Sequence, residues 1–276
     1  MNAITKIQAA PDFEAIKTKQ NAAWASGDYG KIGVTLQKVG EDLAERMDLT
    51  VGASVLDVAA GNGNATLAFA RRGATVTSTD YVEKLLIQGS YRAAAEGLKI
   101  DFQIADAEAL PFADNSFDAT VSTFGVMFAP NQYQAASELI RVTKSSGSVG
   151  LANWTPDSFI GALFKTIGRN VPPPAGVNSP ALWGQEEWFT TTFAPHASSV
   201  TATMKDFVFR YRSVDEFIEI FAAFYGPVHK AFLALDAAGQ MKLRDEITET
   251  VASYNVATDG SMRVPSEYAE IVIAKS

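Results

Sequence analysis

The chain has 276 residues, which fits one large domain or one domain with a sizeable insertion. Its net charge is −8, and an acidic surface repels phosphate groups, which argues against DNA, RNA or an anionic membrane as main partner. With no cysteine and only two histidines, disulfides, thiolate catalysis and cysteine-ligated metal centres are excluded, and we expect no metal site.

The first residues of the chain give no sign of export. Residues 1–17 contain no apolar stretch of signal-peptide length. No run of about 18 apolar residues occurs anywhere, so no transmembrane helix is expected. These observations predict a cytoplasmic protein.

The N-terminal segment is predicted to be helical. Residues 12–27 are moderately amphipathic, and a glycine-containing turn follows at Gly27–Gly30. From Ile32 to Met47, apolar residues recur at helical spacing, which predicts a second helix with one apolar face.

Between residues 53 and 153, strand-like and helix-like segments alternate. Strands are predicted at Ser54–Val58, Ala74–Thr79, Ile100–Ile104, Ala119–Ser122 and Gly147–Asn153, and helices at Asn64–Arg72, Val82–Glu96 and Gln132–Val142. Such alternation predicts a parallel sheet covered by helices on both faces. Ligands of such sheets bind at the carboxyl ends of the strands.

The second half of the chain has a different pattern. A stiff, proline-rich loop spans Val171–Gly176 and can be neither helix nor central strand. Strands are predicted at Val200–Tyr211 and Tyr268–Ala274, and helices at 158–168, Val214–Tyr225, Val228–Ala238 and Met241–Tyr254. We interpret this half as a sheet edge with a helical cap.

The stretch VLDVAAGNGNAT, residues 55–66, is the sharpest local feature. A strand that ends in Gly61-Asn62-Gly63 lets backbone approach a ligand closely, because glycine has no Cβ and tolerates positive φ. The following helix N-terminus presents unpaired N–H groups that favour an anionic group. A Gly-x-Gly turn alone is equally compatible with an ordinary strand–helix connection.

Two carboxylates at later strand ends make the functional interpretation stronger. Asp80 lies 17 residues after Gly63, where a carboxylate can accept hydrogen bonds from both ribose hydroxyls of an adenosine-type ligand. Asp80 is equally suited to cap the next helix, and both roles can hold together. Asp106 ends the third strand in the same way.

These strand ends together resemble the class I S-adenosylmethionine-dependent methyltransferases, most closely the ubiquinone/menaquinone-biosynthesis type and its small-molecule relatives. The resemblance covers about residues 30–155 and rests on VLDVAAGNGNAT, TSTDYV, IADAEALPFADNSFDATVSTFGVMF and RVTKSSGSVGLANW. It implies S-adenosyl-L-methionine as cofactor and S-adenosyl-L-homocysteine as product.

The resemblance also implies roles for matching positions in the first motif. Gly61, Asn62, Gly63 and the backbone near Ala59 would hold the amino-acid end of the cofactor. Asp57 would order this loop and reach the ammonium group through water.

Later motifs would hold the rest of the cofactor. Asp80 would hold the ribose, with Tyr81 or Val82 against the adenine. Asp106 would accept a hydrogen bond from the adenine amino group, and the backbone N–H of Ala107 would meet the ring. After the fourth strand, the residues under the methionyl part and the sulfonium would be Thr123 and Phe124.

For the fold, the resemblance implies an α/β, Rossmann-like, seven-stranded and mostly parallel sheet, with helices on both faces and a helical cap or lid from the C-terminal half. We expect one structural domain in three parts. Residues 1–50 would cover the cofactor site, 51–155 would form the cofactor-binding core, and 156–276 would supply the lid, the acceptor region and the last strands.

Three departures from family patterns are visible. Lys144–Gly147 replaces the usual Lys-Pro-Gly-Gly turn, Ala59 stands where glycine is common, and Ala60 stands where cysteine is common. Against a dinucleotide-dependent oxidoreductase, Thr66 occupies the place of the third glycine of Gly-x-Gly-x-x-Gly. An oxidoreductase that uses NAD is therefore the least favoured alternative.

The sequence shows no catalytic triad, although an oxygen or carbon nucleophile usually needs a base. The candidates are His229 in the helical cap, His196 in a predicted loop and Tyr29 in the N-terminal segment. Each has an ordinary structural explanation as well. Asn153 and Trp154 follow the fifth strand, which by position places them near the site.

The aromatic side chains of the second half predict a small, partly aromatic or lipophilic acceptor, or a face for a homodimer. Methyl transfer to oxygen, carbon or nitrogen of a small molecule is the leading hypothesis. A methyltransferase fold that uses the cofactor for other chemistry, or only senses it, is the second. Fold alone does not decide between them.

Overall fold

Seven strands form one mixed sheet in the order β3-β2-β1-β4-β5-β7-β6. The computed structural model describes residues 11–276, so the first ten residues, which belong to the predicted 1–50 part and to the expectation of no signal peptide, lie outside the described residues. The strands are β1 (Ser54–Val58), β2 (Thr75–Asp80), β3 (Asp101–Ile104), β4 (Phe117–Thr123), β5 (Thr143–Trp154), β6 (Ala197–Tyr211) and β7 (Met262–Lys275).

Helices cover both faces of this sheet and form a cap at one end. They are α1 (Phe13–Ser26), α2 (Gly30–Gly33), α3 (Gln37–Met47), α4 (Asn64–Arg71), α5 (Glu83–Ala95), α6 (Gln132–Val142), α7 (Phe159–Asn170), α8 (Glu186–Phe193), α9 (Val214–Phe224), α10 (Gly226–Ala234) and α11 (Ala237–Tyr254). The expected Rossmann-like α/β fold with seven strands is confirmed.

The five N-terminal strands run parallel, and helices connect successive strands except between β3 and β4, where the connection is a loop. β1 lies between β2 and β4, and its residues Val55, Leu56 and Val58 are at most 1 % exposed. Such apolar runs are typical of strands that are buried on both faces. The register pairs Val58 with Thr79, which brings the carboxyl ends of β1 and β2 to the same edge.

The last strand in chain order lies inside the sheet. β7 runs antiparallel between β5 and β6 and pairs with both along most of its length. β6 therefore forms one edge of the sheet. The C-terminal half thus completes the sheet and also supplies the helical cap, as the sequence predicts.

The structure corrects the predicted helix from Ile32 to Met47. It is interrupted, with α2 ending at Gly33, a 3₁₀ turn over Val34–Leu36 and then α3. A Cβ on Gly33 would lie 2.7 Å from the side-chain oxygen of Asn62, so this backbone approaches the β1 loop closely. The helix α8 was not predicted.

Among the described residues, no helix is both long and apolar enough to cross a membrane.

Candidate active site

A cavity of about 830 Å³ opens at the carboxyl edge of the parallel strands, where sheets of this kind bind ligands. Its wall includes ten of the twelve residues that the sequence predicts for the cofactor: Ala59, Gly61, Asn62, Asp80, Tyr81, Val82, Asp106, Ala107, Thr123 and Phe124. Asp57 and Gly63 do not line it.

The loop after β1 is held in an unusual backbone conformation. Ala59, Gly61 and Gly63 all have positive φ, at 52°, 58° and 86°. Left-handed backbone is unfavourable for alanine, so its presence here indicates a loop conformation that the surroundings enforce. The loop ends at the N-terminus of α4, where backbone N–H groups have no helical partner.

Asp80 connects this loop to the second strand. One carboxylate oxygen accepts a hydrogen bond from the N–H of Gly61 at 2.9 Å, and the other accepts from the N–H of Val82 at 2.8 Å. Burial raises the pKa of the Asp80 carboxyl to about 6, although the N–H donors of Val82 and Gly61 lower it. Val82 is the residue before α5, and the first turn of this helix has no side-chain cap, so the capping role considered from sequence is not observed.

Asp57 lies beneath the loop and is fully buried. Its Oδ2 accepts hydrogen bonds from the N–H of Thr66 at 2.7 Å and from its hydroxyl at 2.6 Å, and this hydroxyl lies 2.9 Å from Ser78 Oγ. Its Oδ1 has no hydrogen-bond partner among the described residues. Burial raises the pKa of Asp57 to about 7, against the lowering effect of Thr66.

Sequence reasoning missed the role of Thr66, which it treated only as a missing glycine. The side chain of Thr66 holds Asp57 and is completely buried. Its position in the first turn of α4 is the signal in the sequence, because a hydroxyl there can reach back to the preceding strand.

Helix α1 lies across the cavity beside Asp106. Lys17 Nζ lies 2.6 Å from Asp106 Oδ2 and 3.4 Å from a carboxylate oxygen of Glu108. The Asn21 side-chain amide donates to the carbonyl of Tyr81 at 2.6 Å. These contacts attach α1 to the ends of β2 and β3. No local pattern in the sequence indicates these contacts, because Lys17 and Asp106 are 89 residues apart.

A second cavity, of about 290 Å³, adjoins the first and is called the chamber below. Both cavities share Tyr29, Phe124 and Phe128 as lining residues. The remaining chamber residues are Ile32, Leu36, Trp154, Ile160, Phe209, Phe221 and Tyr225. The chamber therefore combines the N-terminal helices, the ends of β4 and β5, and the C-terminal cap.

The wall between the two cavities is rigid and aromatic. The rings of Phe124 and Trp154 stack with centroids 4.0 Å apart and planes 7° apart. Phe124 has a positive φ of 58°, which is rare for a bulky residue and marks a conformation held by its surroundings. Sequence reasoning placed Trp154 near the site correctly but missed Tyr225.

Asn153 does not share the position of Trp154. It is fully buried and lines neither cavity, because successive residues of a strand point to opposite faces. Neither atom of its side-chain amide has a partner in the described part of the chain.

The two histidines lie apart from both cavities. His229 Nδ1 is 2.7 Å from the carbonyl oxygen of Ala222 within the cap. His196 ends a 3₁₀ turn before β6, and its carbonyl accepts from the N–H of Ser276 at 3.1 Å. Neither lines a cavity, so of the three predicted catalytic candidates only Tyr29 does.

No group of three or more histidine, aspartate or glutamate side chains is arranged to hold a metal ion within residues 11–276.

Comparisons with known proteins agree with this architecture. A family model described as a methyltransferase domain matches residues 56–151. An uncharacterized protein of Mycobacterium tuberculosis is 38 % identical over 255 residues, which cover 91 % of this chain and 92 % of that protein.

Two further proteins are similar over different spans. A demethylmenaquinone methyltransferase of Paenarthrobacter aurescens is 38 % identical over 113 residues, 41 % of this chain and 43 % of that protein. The crystal structure of the YcgJ protein from Bacillus subtilis has a TM-score of 0.62 at 19 % identity, and the match covers 87 % of this chain and 99 % of that one. At that identity the likeness establishes the fold.

Proposed function

We propose that this chain, which belongs to the class I S-adenosylmethionine-dependent methyltransferase family, binds S-adenosyl-L-methionine in the cavity of about 830 Å³ and transfers its methyl group to a small molecule. The acceptor would lie in the adjoining chamber.

The observation that carries the proposal is the placement of Asp80. Its carboxylate lines the cavity while two backbone N–H groups fix its orientation. A carboxylate oxygen can accept more than one hydrogen bond, so both oxygens keep capacity for the two ribose hydroxyls. This geometry is what an adenosine-type ligand needs at the end of β2.

The other residues fit the remaining parts of the cofactor. The backbone at the start of α4, where Asn64 lines the cavity, would hold the carboxylate of its amino-acid end, because the N–H of Gly61 already donates to Asp80. Oδ1 of Asp57, buried without a partner among the described residues, would accept a hydrogen bond from a water that links it to the ammonium group. Asp106 and the N–H of Ala107 would meet the adenine, with Tyr81 or Val82 against the ring.

The cofactor supplies an electrophilic methyl group on sulfur. The chain would supply orientation, because Thr123 and Phe124 line the cavity at the end of β4 and Phe124 also lines the chamber. Holding two reactants in line accounts for much of the rate of such a displacement. The apolar chamber would exclude water from the reacting atoms.

The same proposal also covers the roles of the chain's parts, the kind of acceptor and the setting in which the enzyme works. Residues up to 50 would cover the cofactor, residues 51–155 would bind it, and residues 156–276 would enclose the acceptor. The acceptor would be a small apolar or aromatic molecule. The enzyme would work in the cytoplasm, as a monomer or a homodimer.

Thermal unfolding with added ligands tests the cofactor assignment. A ligand at about 100 times its dissociation constant stabilises the folded chain by about 2.7 kcal/mol, which is about 5 °C or more for a chain of this size. We expect this shift with S-adenosylmethionine and S-adenosylhomocysteine but not with NAD or NADP.

Two variants make the test specific. Asp80→Ala should remove the shift, whereas Asp101→Ala, an exposed carboxylate at the start of β3, should keep it. A shift with NAD or NADP alone would overturn the proposal. Formation of S-adenosylhomocysteine only when an acceptor is added separates methyl transfer from other cofactor-dependent chemistry or sensing.

A further inference from the structure

The chamber contains hydroxyl groups but no base. Among the described residues, the ten that line it include no carboxylate, imidazole, amine or guanidinium. The two phenol hydroxyls of Tyr29 and Tyr225 are the hydroxyl groups in its wall. A neutral alcohol or phenol that entered this chamber would therefore find no group to take its proton.

The two tyrosines lie close together in the wall of the chamber. Their ring centroids are 6.4 Å apart, and the Trp24 ring makes a T-shaped contact with each, with centroids at 5.5 Å and 5.8 Å. Within residues 11–276, no hydrogen bond affects the pKa of either phenol, and neither phenol oxygen is among the side-chain atoms that are sealed from solvent without a partner. Both hydroxyls are therefore open to a ligand oxygen.

Both phenols remain protonated at neutral pH. Burial raises the pKa of Tyr225, and the neighbouring Tyr29 phenol adds to this effect. Burial also raises the pKa of Tyr29, and the charge of Asp80 adds to it. Neither phenol can act as a base at that pH, but each can donate a hydrogen bond.

The acceptor must therefore be deprotonated before it enters the chamber. We propose that the chamber takes a flat, apolar molecule with one phenol or enol oxygen that has already lost its proton to solvent, and that the hydroxyls of Tyr29 and Tyr225 donate hydrogen bonds to this oxygen. The inference rests on the proposed function, because it concerns the acceptor side of that reaction.

Charge and atoms balance without a base. The acceptor oxyanion forms a bond to the methyl carbon while the bond from that carbon to sulfur breaks, and the electron pair of the broken bond stays on sulfur. The negative charge of the oxygen and the positive charge of the sulfonium disappear together, and no proton is released in this step. Hydrogen bonds to a charged oxygen are stronger than those to a neutral one, which offsets its loss of water.

The two tyrosines would also differ in the ligands that they contact. Tyr29 lines both, and its ring lies over the β1 loop, since a Cβ on Gly61 would be 3.5 Å from Tyr29 Cε1. Tyr225 lines only the chamber. Loss of the Tyr29 hydroxyl should therefore disturb both ligands, whereas loss of the Tyr225 hydroxyl should disturb the acceptor alone.

A coloured phenol gives a direct readout of the acceptor's ionisation. 4-Nitrophenol and 4-nitro-1-naphthol absorb visible light as their anions, and each would be titrated with the full chain saturated with sinefungin, an unreactive analogue that has an amine in place of the methylsulfonium. Burial and the charge of Asp80 raise the pKa of a phenol in this chamber, whereas the two tyrosine hydrogen bonds and the positive amine of sinefungin lower it. We expect the lowering effects to prevail, so that the bound phenol ionises about one pH unit lower than the free phenol. 4-Nitrotoluene, which has the shape of 4-nitrophenol without its hydroxyl, should bind at least about tenfold more weakly.

Variants connect this readout to the tyrosines. Tyr225→Phe should weaken binding of the anion about tenfold and remove the shift in its ionisation, while sinefungin binding is unchanged. Tyr29→Phe should do the same and also weaken sinefungin binding. Tyr91→Phe, at a side chain 72 % exposed on α5, should change nothing.

Failure of the inference can be told apart from failure of the proposed function. If sinefungin stabilises the chain but both phenols bind only in neutral form, or neither binds, the inference is overturned and the proposed cofactor site stands. The same conclusion follows if Tyr225→Phe, folded and binding sinefungin, binds the anions as well as the unchanged chain does. If neither sinefungin nor S-adenosylhomocysteine binds, the proposed function itself fails.

Discussion

The carboxylate of Asp80 accepts a hydrogen bond from the backbone N–H of Gly61 at 2.9 Å, so the residue that ends β2 also fixes the loop that follows β1. Two neighbouring strand ends thus form one unit at the edge of the sheet. A change at Asp80 should affect the loop as well as the ribose subsite.

Cofactor binding should weaken at acid pH. The ribose hydroxyls need an Asp80 carboxylate that accepts, and burial raises its pKa to about 6. Affinity for S-adenosylhomocysteine should be constant above pH 7 and fall by up to tenfold per unit below about pH 6, because a proton then competes with the ligand. Calorimetric titration between pH 5 and 8 measures this.

Asp80→Asn serves as the control for that titration. It should bind weakly at every pH and lose most of the dependence. A wild-type affinity that stays constant from pH 8 down to pH 5 would contradict an ionised Asp80 in the bound state.

The free energy of unfolding should depend on pH because Asp57 is buried. Burial raises its pKa to about 7, so between pH 4 and 7 the unfolded chain releases a proton that the folded chain retains. The contribution of Asp57 to stability is therefore complete below about pH 4 and is lost as pH rises through 7, by about 4 kcal/mol at most.

The comparison with Asp57→Asn isolates this effect. Urea unfolding from pH 4.5 to 7.5 should show the free energy of unfolding of the unchanged chain falling more steeply than that of the variant. Parallel curves would show that Asp57 ionises alike in both states.

The hydroxyl of Thr66 should matter more than its methyl group. Thr66→Val keeps the volume but removes a donor to the buried carboxylate of Asp57, which should reduce the free energy of unfolding by about 1–3 kcal/mol. Thr66→Ser keeps the hydroxyl and should recover most of that loss. Urea unfolding at pH 7.5 compares the two, and equal losses would refute the hydrogen-bond argument.

A single methyl group at Gly125 should disrupt the site. A Cβ there would lie 2.0 Å from the carbonyl oxygen and 2.9 Å from the carbonyl carbon of Ala59. These are backbone atoms that cannot turn aside, so the loops after β1 and β4 would have to separate. Gly125→Ala should reduce stability by about 3 kcal/mol or more and abolish the thermal shift with S-adenosylhomocysteine.

Gly168→Ala is its matched control. Gly168 lies within α7, and its nearest neighbour would be 4.0 Å from the new Cβ. This variant should be more stable by about 1 kcal/mol, because alanine favours the helix. Equal destabilisation by both substitutions would show that the close approach is not the cause.

Release of the cofactor should be faster without the Lys17 contact. Lys17→Met keeps the length of the side chain but removes the ion pair that attaches α1 to Asp106. We expect the dissociation rate of S-adenosylhomocysteine to rise about three- to tenfold, with a smaller change in association rate. Lys19→Met, an exposed lysine on the same helix, should leave both rates unchanged in stopped-flow measurements.

Secondary-structure elements could be predicted best from the sequence where the pattern of apolar residues is local. The bounds of β1 and α6 agree with the prediction, because an apolar run before a glycine turn and a regular helical period are both visible in adjacent residues. The cofactor positions also line the cavity, since strand ends of a parallel sheet meet at one edge.

Contacts between distant segments could not be predicted in this way. Tyr225 reaches the chamber only because the cap folds back onto α1, and Lys17 finds Asp106 across 89 residues. The break at Gly33 depends on its contact with Asn62, which no pattern within residues 32–47 reveals. Thr66 was recognised as a departure from one motif, whereas its function follows from a neighbour on β1.

The interior position of β7 sets an order of events during synthesis. β6 pairs with no strand other than β7, so it has no place in the sheet until residues 262–275 have left the ribosome. The strands whose ends form the cofactor cavity are complete more than 100 residues earlier, by Trp154. A nascent chain can therefore assemble its cofactor-binding edge while Phe209 of β6 still lacks the support that closes the chamber, and acceptor binding becomes the last ability that the growing chain acquires.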